Sequence, residues 1–189
     1  MLEGMDTAPT SSHARGRLIA AAVLALLVAP APRAAVVGWA AAGNGAWSAP
    51  ANWGGGALPG PASFVEIGTP AFPFAGTVSS TQPGNVAAEL DLGPAPTLAV
   101  SAGILAVGGT VDSAGKLTVS GGAVLDAGRL FNRAGGMASA TGAGTRIDIG
   151  GGVFSDGVLV LEDGAGLATG FPDGSVYSTG TLTVKVPIK

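Results

Sequence analysis

A chain of 189 residues with 33 glycines, 13 prolines and no cysteine has room for one domain plus a processing segment, and its glycine and proline content argues for many turns and few helices. The lack of cysteine excludes disulfides, thiolate metal sites, a cysteine nucleophile and the lipidated cysteine of a bacterial lipoprotein. From Val36 onward ten acidic residues stand against six basic ones, a net −4 that gives a nucleic-acid backbone no basic stripe to bind.

Residues 1–35 begin the chain with His13, Arg15 and Arg17, the uninterrupted apolar run Leu18–Val28, and then Ala29-Pro30-Ala31-Pro32-Arg33-Ala34-Ala35. This is the layout of a secretory signal peptide. The apolar run has eleven residues, whereas a hydrocarbon core takes roughly 20 to cross. The expectation is therefore a signal helix removed at Ala34 or Ala35, no stable membrane span afterwards, and a product that is secreted or held at the cell surface.

Residues 36–96 hold all three tryptophans, Trp39, Trp47 and Trp53, and most of the prolines that follow the leader. Turn residues crowd around Asn52-Trp53-Gly54-Gly55-Gly56 and Pro59-Gly60, and Phe64-Val65-Glu66-Ile67-Gly68 reads as a first strand with Val65 and Ile67 inward and Glu66 outward. This segment is expected to form an N-terminal cap and first strands, with the indoles covering the open end of a sheet stack. The spacing W-S-x3-N-W-G-G-G-x2-P-G from Trp47 to Gly60, followed by V-x-I-G, resembles the opening of secreted bacterial β-helix proteins, among them autotransporter passenger domains and exosortase-sorted surface proteins. The resemblance implies export and a β-helix. It brings no catalytic residue, and where such proteins often carry an acid just before the V-x-I strand this chain has Ser63-Phe64.

From Thr97 short apolar runs alternate with glycine turns. Leu98, Leu117, Ala138, Leu159 and Leu182 fall into one column at steps of 19, 21, 21 and 23 residues, a coil of about 20 residues. Glycines divide each coil into about three short segments, for example 116–122, 123–128 and 129–136. The fold class expected is all-β, a right-handed parallel β-helix (β-solenoid) of about four to five coils over residues 97–189, preceded by the cap and the signal helix. Successive strand side chains point to opposite sides, which sends Leu117, Val119, Ile147, Ile149, Leu159, Leu161, Val184 and Val186 inward. The coil at Met137–Thr141, with only Ala138 and Ala140 inside, is expected to be the thinnest. Lys185, Pro187 and Lys189 in the last strand-like run are devices that blunt a sheet edge and argue mildly for a genuine end; the opposing view is a truncated autotransporter, whose membrane barrel is not encoded here.

The inventory for chemistry is thin. His13 is the only histidine and lies in the leader, so a Ser-His-Asp triad and a histidine-rich zinc site are excluded from the processed chain. Of the acids Asp112, Asp126, Asp148, Asp156, Glu162 and Asp163, only Asp126 and Asp148 are one coil apart, and solvent-facing charge explains them more simply than catalysis or calcium. Gly151–Asp156 and Glu162-Asp163-Gly164 are only loose relatives of a calcium nonapeptide and read better as tight turns. Arg129, Arg133 and Arg146 read as surface charge, and Phe131 and Phe154 as packing at core corners. Trp39, Trp47 and Trp53 are the candidate binding residues, as a sugar-stacking platform, weighed against capping of the solenoid. No cofactor and no metal site are expected. The reading is a secreted or cell-surface, non-enzymatic β-solenoid of adhesin or passenger type, with surface glycans or another cell-surface protein as partners and no nucleic acid. The alternative is a carbohydrate-active β-helix, a lyase-like enzyme or a sugar-binding module.

Overall fold

The computed structural model describes residues 34–170 and 175–185, and among these the chain is all-β apart from one 3-10 turn at Pro50–Asn52. The leader read over residues 1–35 lies outside the described residues except for Ala34 and Ala35. The strands in chain order are β1 (Ala35–Gly38), β2 (Gly45–Ala46), β3 (Ser63–Ile67), β4 (Thr77–Ser80), β5 (Asn85–Ala87), β6 (Glu89–Leu92), β7 (Thr97–Val100) and β8 (Ile104–Ser113). They continue as β9 (Lys116–Ser120), β10 (Val124–Asn132), β11 (Met137–Thr141), β12 (Arg146–Ile149), β13 (Val153–Ser155), β14 (Val158–Glu162), β15 (Gly166–Thr169), β16 (Val176–Ser178) and β17 (Thr181–Val184).

These strands stack in parallel into a solenoid of about six turns; five rungs of its first face, β7, β9, β11, β14 and β17, lie in the region where four to five coils are expected, and the segment expected as cap and first strands adds the rest. A first face is the seven-stranded sheet β2-β4-β7-β9-β11-β14-β17. A second face runs through β5, the leading halves of β8 and β10, then β12 and β15. A third runs through β1, β3, β6, the trailing halves of β8 and β10, then β13 and β16. The predicted column is observed in register, Leu98 to Leu117 to Ala138 to Leu159 to Leu182, and Val78 extends it backward by one more rung.

Three strands per coil hold in the later turns, but in two middle turns the second and third strands are fused. β8 and β10 each bend around the corner without a break, and their mutual register slips between Ala127 and Arg129. Gly128 allows this: a Cβ there would stand 2.7 Å from the carbonyl oxygen of Gly109 in the preceding coil. One coil later Gly150, Gly151 and Gly152 separate β12 from β13, and both pair with β10.

Alternation decides the interior. Val65, Ile67, Leu98, Leu117, Ile147 and Leu159 are fully buried, with Val119, Ile149 and Leu161 nearly so, as their strand positions require. Ala138 and Ala140 are also fully buried, so the thin rung exists, held between Leu117 and Val119 on one side and Leu159 and Leu161 on the other. The last rung departs from expectation. Leu182 and Val184 occupy inward positions opposite Leu159 and Leu161 yet are 47% and 58% exposed, because among the described residues no further rung lies over them. Val186 is outside the described residues.

Where faces meet, the backbones of successive coils come close. A methyl on Gly115 would lie 2.7 Å from the oxygen of Pro96 and nearer still to that of Gly93, and the Pro96 oxygen is held in place by the Lys116 N–H at 3.0 Å. Gly115→Ala is expected to cost about 1–3 kcal/mol, measured as a lowered denaturation midpoint with an unchanged slope. Buried polar side chains at corners pair with each other: Asn132 Nδ2 donates to Ser155 Oγ at 2.9 Å and to the Val158 carbonyl at 3.0 Å. Among the described residues no helix is long and apolar enough to cross a membrane.

Candidate functional site

The N-W-G segment works as a pin in the first turn. Asn52 Nδ2 donates to the Ala46 carbonyl at 2.9 Å, the Asn52 carbonyl accepts from the N–H groups of Ala40 and Ala41, and Gly54 N–H donates to the Gly38 carbonyl. Trp53 packs edge-on against both other indoles, with centroids 5.0 Å from Trp39 and 4.8 Å from Trp47, and its Nε1 donates to the Trp47 carbonyl at 2.7 Å. Trp39, Trp47 and Trp53 are 2%, 1% and 2% exposed. A sugar ring stacks on an open aromatic face, and these three indoles, packed edge to face and buried, leave none open. The cluster is therefore a packed core element in geometry, and the exposed chemistry lies elsewhere.

It lies on the third face. Outward positions there stack in one continuous register: Glu66, Asp91, Asp112, Phe131, Phe154 and Tyr177. The column has an acidic half and an aromatic half. Phe131 and Phe154 stack at 4.9 Å and 14°, and Phe154 and Tyr177 at 5.2 Å and 8°. The two phenylalanines thus point to solvent and not into core corners as expected; alternation behind the inward residues Leu130 and Val153 leaves them no other side. Arg133 joins the halves. Its guanidinium makes a two-pronged pair with Asp112, Nε to Oδ1 at 2.7 Å and Nη2 to Oδ2, and lies 5.0 Å over the Phe131 ring. Glu66 accepts from Thr69 Oγ1 at 2.8 Å.

Burial, and then the neighbouring Asp112 and Glu66 charges, push the Asp91 carboxyl above its ordinary value, opposed by Arg133. A carboxyl raised on folding binds its proton more tightly in the folded state, so ionising it costs stability as pH rises through the folded value. Asp91→Asn is accordingly expected to raise the melting temperature at neutral pH, with the gain vanishing as the pH drops below the ordinary carboxylate range; calorimetry across pH reads both.

The sequence-derived pair Asp126 and Asp148 does stand in adjacent rungs of the second face. Asp148 Oδ2 pairs with Arg146 Nη2 at 2.9 Å, while its Oδ1 is buried without a hydrogen-bond partner. Two shallow cavities of about 250 and 210 Å³ flank Asp126, with Gly108, Gly128, Gly150 and Gly170 along them. Glu162-Asp163-Gly164 forms a tight turn: Asp163 and Gly164 both take positive φ, 55° and 83°, and Ala165 N–H donates to the Glu162 carbonyl at 3.0 Å. The Lys185 ammonium is held above its ordinary value by its hydrogen bond to Glu162 at 2.6 Å. Among the described residues no group of three or more histidine, cysteine or acidic side chains is placed to hold a metal ion.

Among the described residues, an open indentation of about 660 Å³ is lined by Pro70, Pro73, Phe74, Pro94 and neighbours. Its one side-chain hydroxyl, Thr69, is already committed to Glu66, so no polar groups converge there as a specific ligand site requires. The column of acids and aromatics is an arrangement that sequence reasoning misses, although a signal is present. Phe131, Phe154 and Tyr177 recur at equal intervals, and Asp91 precedes Asp112 by a similar one, both within the range of the coil step. No family model matches this chain, and neither a curated protein nor a solved structure compared with it does so.

Proposed function

We propose that the chain is exported and acts outside the cell, or at its surface, as a non-enzymatic solenoid scaffold of adhesin or passenger type, working through binding on its outer faces. The observation that carries this reading is the division of labour between the two sides of every strand. The inward columns are filled by packing, and three acids and three aromatic rings among the outward residues line up in one register column on the third face. The tryptophan-bearing first turn serves as the cap of the stack, since an open apolar end needs covering, and the signal-peptide layout of the leader supplies the route out. Surface glycans or another cell-surface protein are the partner classes. The test is fractionation of cells expressing the chain with a C-terminal tag: processed protein outside the cytoplasm is expected, and unprocessed cytoplasmic protein overturns the reading.

A carbohydrate-active β-helix is the second reading, favoured by one observation: Asp126 and Asp148 stacked beside glycine-lined cavities, where paired carboxylates can act on a glycan. Turnover of acidic polysaccharides, lost in Asp126→Asn and Asp148→Asn proteins that still fold, would establish it. Silence across a panel of such polysaccharides leaves the scaffold.

A further inference from the structure

We infer that the third face docks a polypeptide segment in which an arginine or lysine stands beside aromatic or apolar side chains. The inference rests on the surface-binding reading above and names its partner chemistry.

The column Glu66–Asp91–Asp112–Phe131–Phe154–Tyr177 spans six rungs, five steps of about 4.8 Å or about 24 Å in all, the reach of an extended segment of about seven residues. At the acidic end an open cavity of about 230 Å³ is bordered by Phe64, Glu89, Asp91, Asp112, Phe131 and Arg133. Together with Glu66 this end carries four carboxylates against one guanidinium, and among the described residues only Asp112 of the four has an ion-pair partner. The charge left over calls for a cation. At the other end the rings stand open to solvent, Phe154 36% and Tyr177 59% exposed, an apolar patch contiguous with the acids.

The chain itself displays the chemistry that fits. Arg133 grips Asp112 with two parallel hydrogen bonds while lying over the Phe131 ring, the carboxylate and aromatic cradle that suits a guanidinium. Asp91 is the next carboxylate in the same column, on the same cavity, without a cation bonded to it. Repulsion from Asp112 and Glu66 helps hold its carboxyl above the ordinary value, and an incoming cation relieves that repulsion. At its centre the aromatic half favours side chains over a stacked sugar. Phe154 has Phe131 on one face and Tyr177 on the other, nearly parallel, so a pyranose ring cannot lie flat on it, whereas side chains can pack along the exposed ring edges.

The test is fluorescence anisotropy on the full chain with three labelled peptides: one with arginines followed by phenylalanines at alternate positions, one with citrulline in place of arginine, and one with serine in place of phenylalanine. The first is expected to bind, more weakly at high salt, with citrulline or Asp91→Asn lowering affinity about tenfold. The serine peptide and Phe154→Ala are expected to lower it several-fold, with circular dichroism showing both variants folded. Equal binding of the citrulline peptide, no effect of Asp91→Asn in a folded protein, or no binding of any peptide overturns the inference. So does displacement of the bound peptide by a neutral oligosaccharide or by self-association of the chain. Export and peptide binding are read separately: a cytoplasmic protein that binds the peptide defeats the scaffold's placement alone, and an exported one that does not bind defeats this docking alone.

Discussion

Ile147→Asp is expected to unfold several turns at once. Ile147 is fully buried and stacked between Leu125 of β10 and Leu167 of β15, so its neighbours along the column are apolar. Replacing it removes about 1.5–3 kcal/mol of apolar burial and places a carboxylate where nothing compensates its lost hydration. A total cost of about 5 kcal/mol or more matches the whole stability of a marginal domain. Each rung of a solenoid rests on its neighbours, so hydrogen exchange should lose protection across β10, β12 and β15 together. Loss confined to β12 would refute this coupling. Ile147→Val, which keeps the shape, should cost about 1 kcal/mol and leave the exchange pattern intact.

Trp53→Ala is expected to cost about 3–5 kcal/mol, measured by thermal or denaturant unfolding. The side chain is 2% exposed, sits between two other indoles, and gives up its Nε1 bond to the Trp47 carbonyl when removed. The backbone of its neighbours depends on the same turn, because Gly54 donates to Gly38 and the Asn52 carbonyl serves Ala40 and Ala41. A loss of any binding activity in this variant therefore reports on folding of the first turn, and ligand contact by the indoles requires a different test. Trp53→Phe, which retains part of the packing, should lose less stability than Trp53→Ala; equal losses would mean that the edge-on packing contributes little.

The inward columns were legible in the sequence residue by residue, since strand alternation is local and a polar residue such as Thr118 or Asp148 states which side is wet. The turns before residue 97 were harder to count from sequence. A column begun at Leu98 misses Val78 one coil earlier, and before Val78 comes Gly45, a far longer step along the chain because the tryptophan and proline segment lies between them. Glycine at 128 reads as a break between strands, yet in the fold it lets one strand turn a corner without interrupting its pairing. The tryptophans could be located by composition, but their burial depends on the closing of the first turn onto β3 and β4, where Trp39 N–H meets Glu66 and Trp47 N–H meets Ser79.

By itself the sequence determined an all-β chain, the approximate length of its coil and the sidedness of its strands, together with the lack of any histidine after His13. All of these follow from the period of two along a strand and from what residues are present. Which outward residues become neighbours was decided only in three dimensions. Along the third-face column the steps are unequal, longest from Glu66 to Asp91 and shortest from Asp112 to Phe131, because turns of unequal length absorb the differences between coils. A fixed offset cannot find such a column. Hydrogen-bond register between rungs sets it, and that register is what brings three acids and three aromatic rings into one line on the surface.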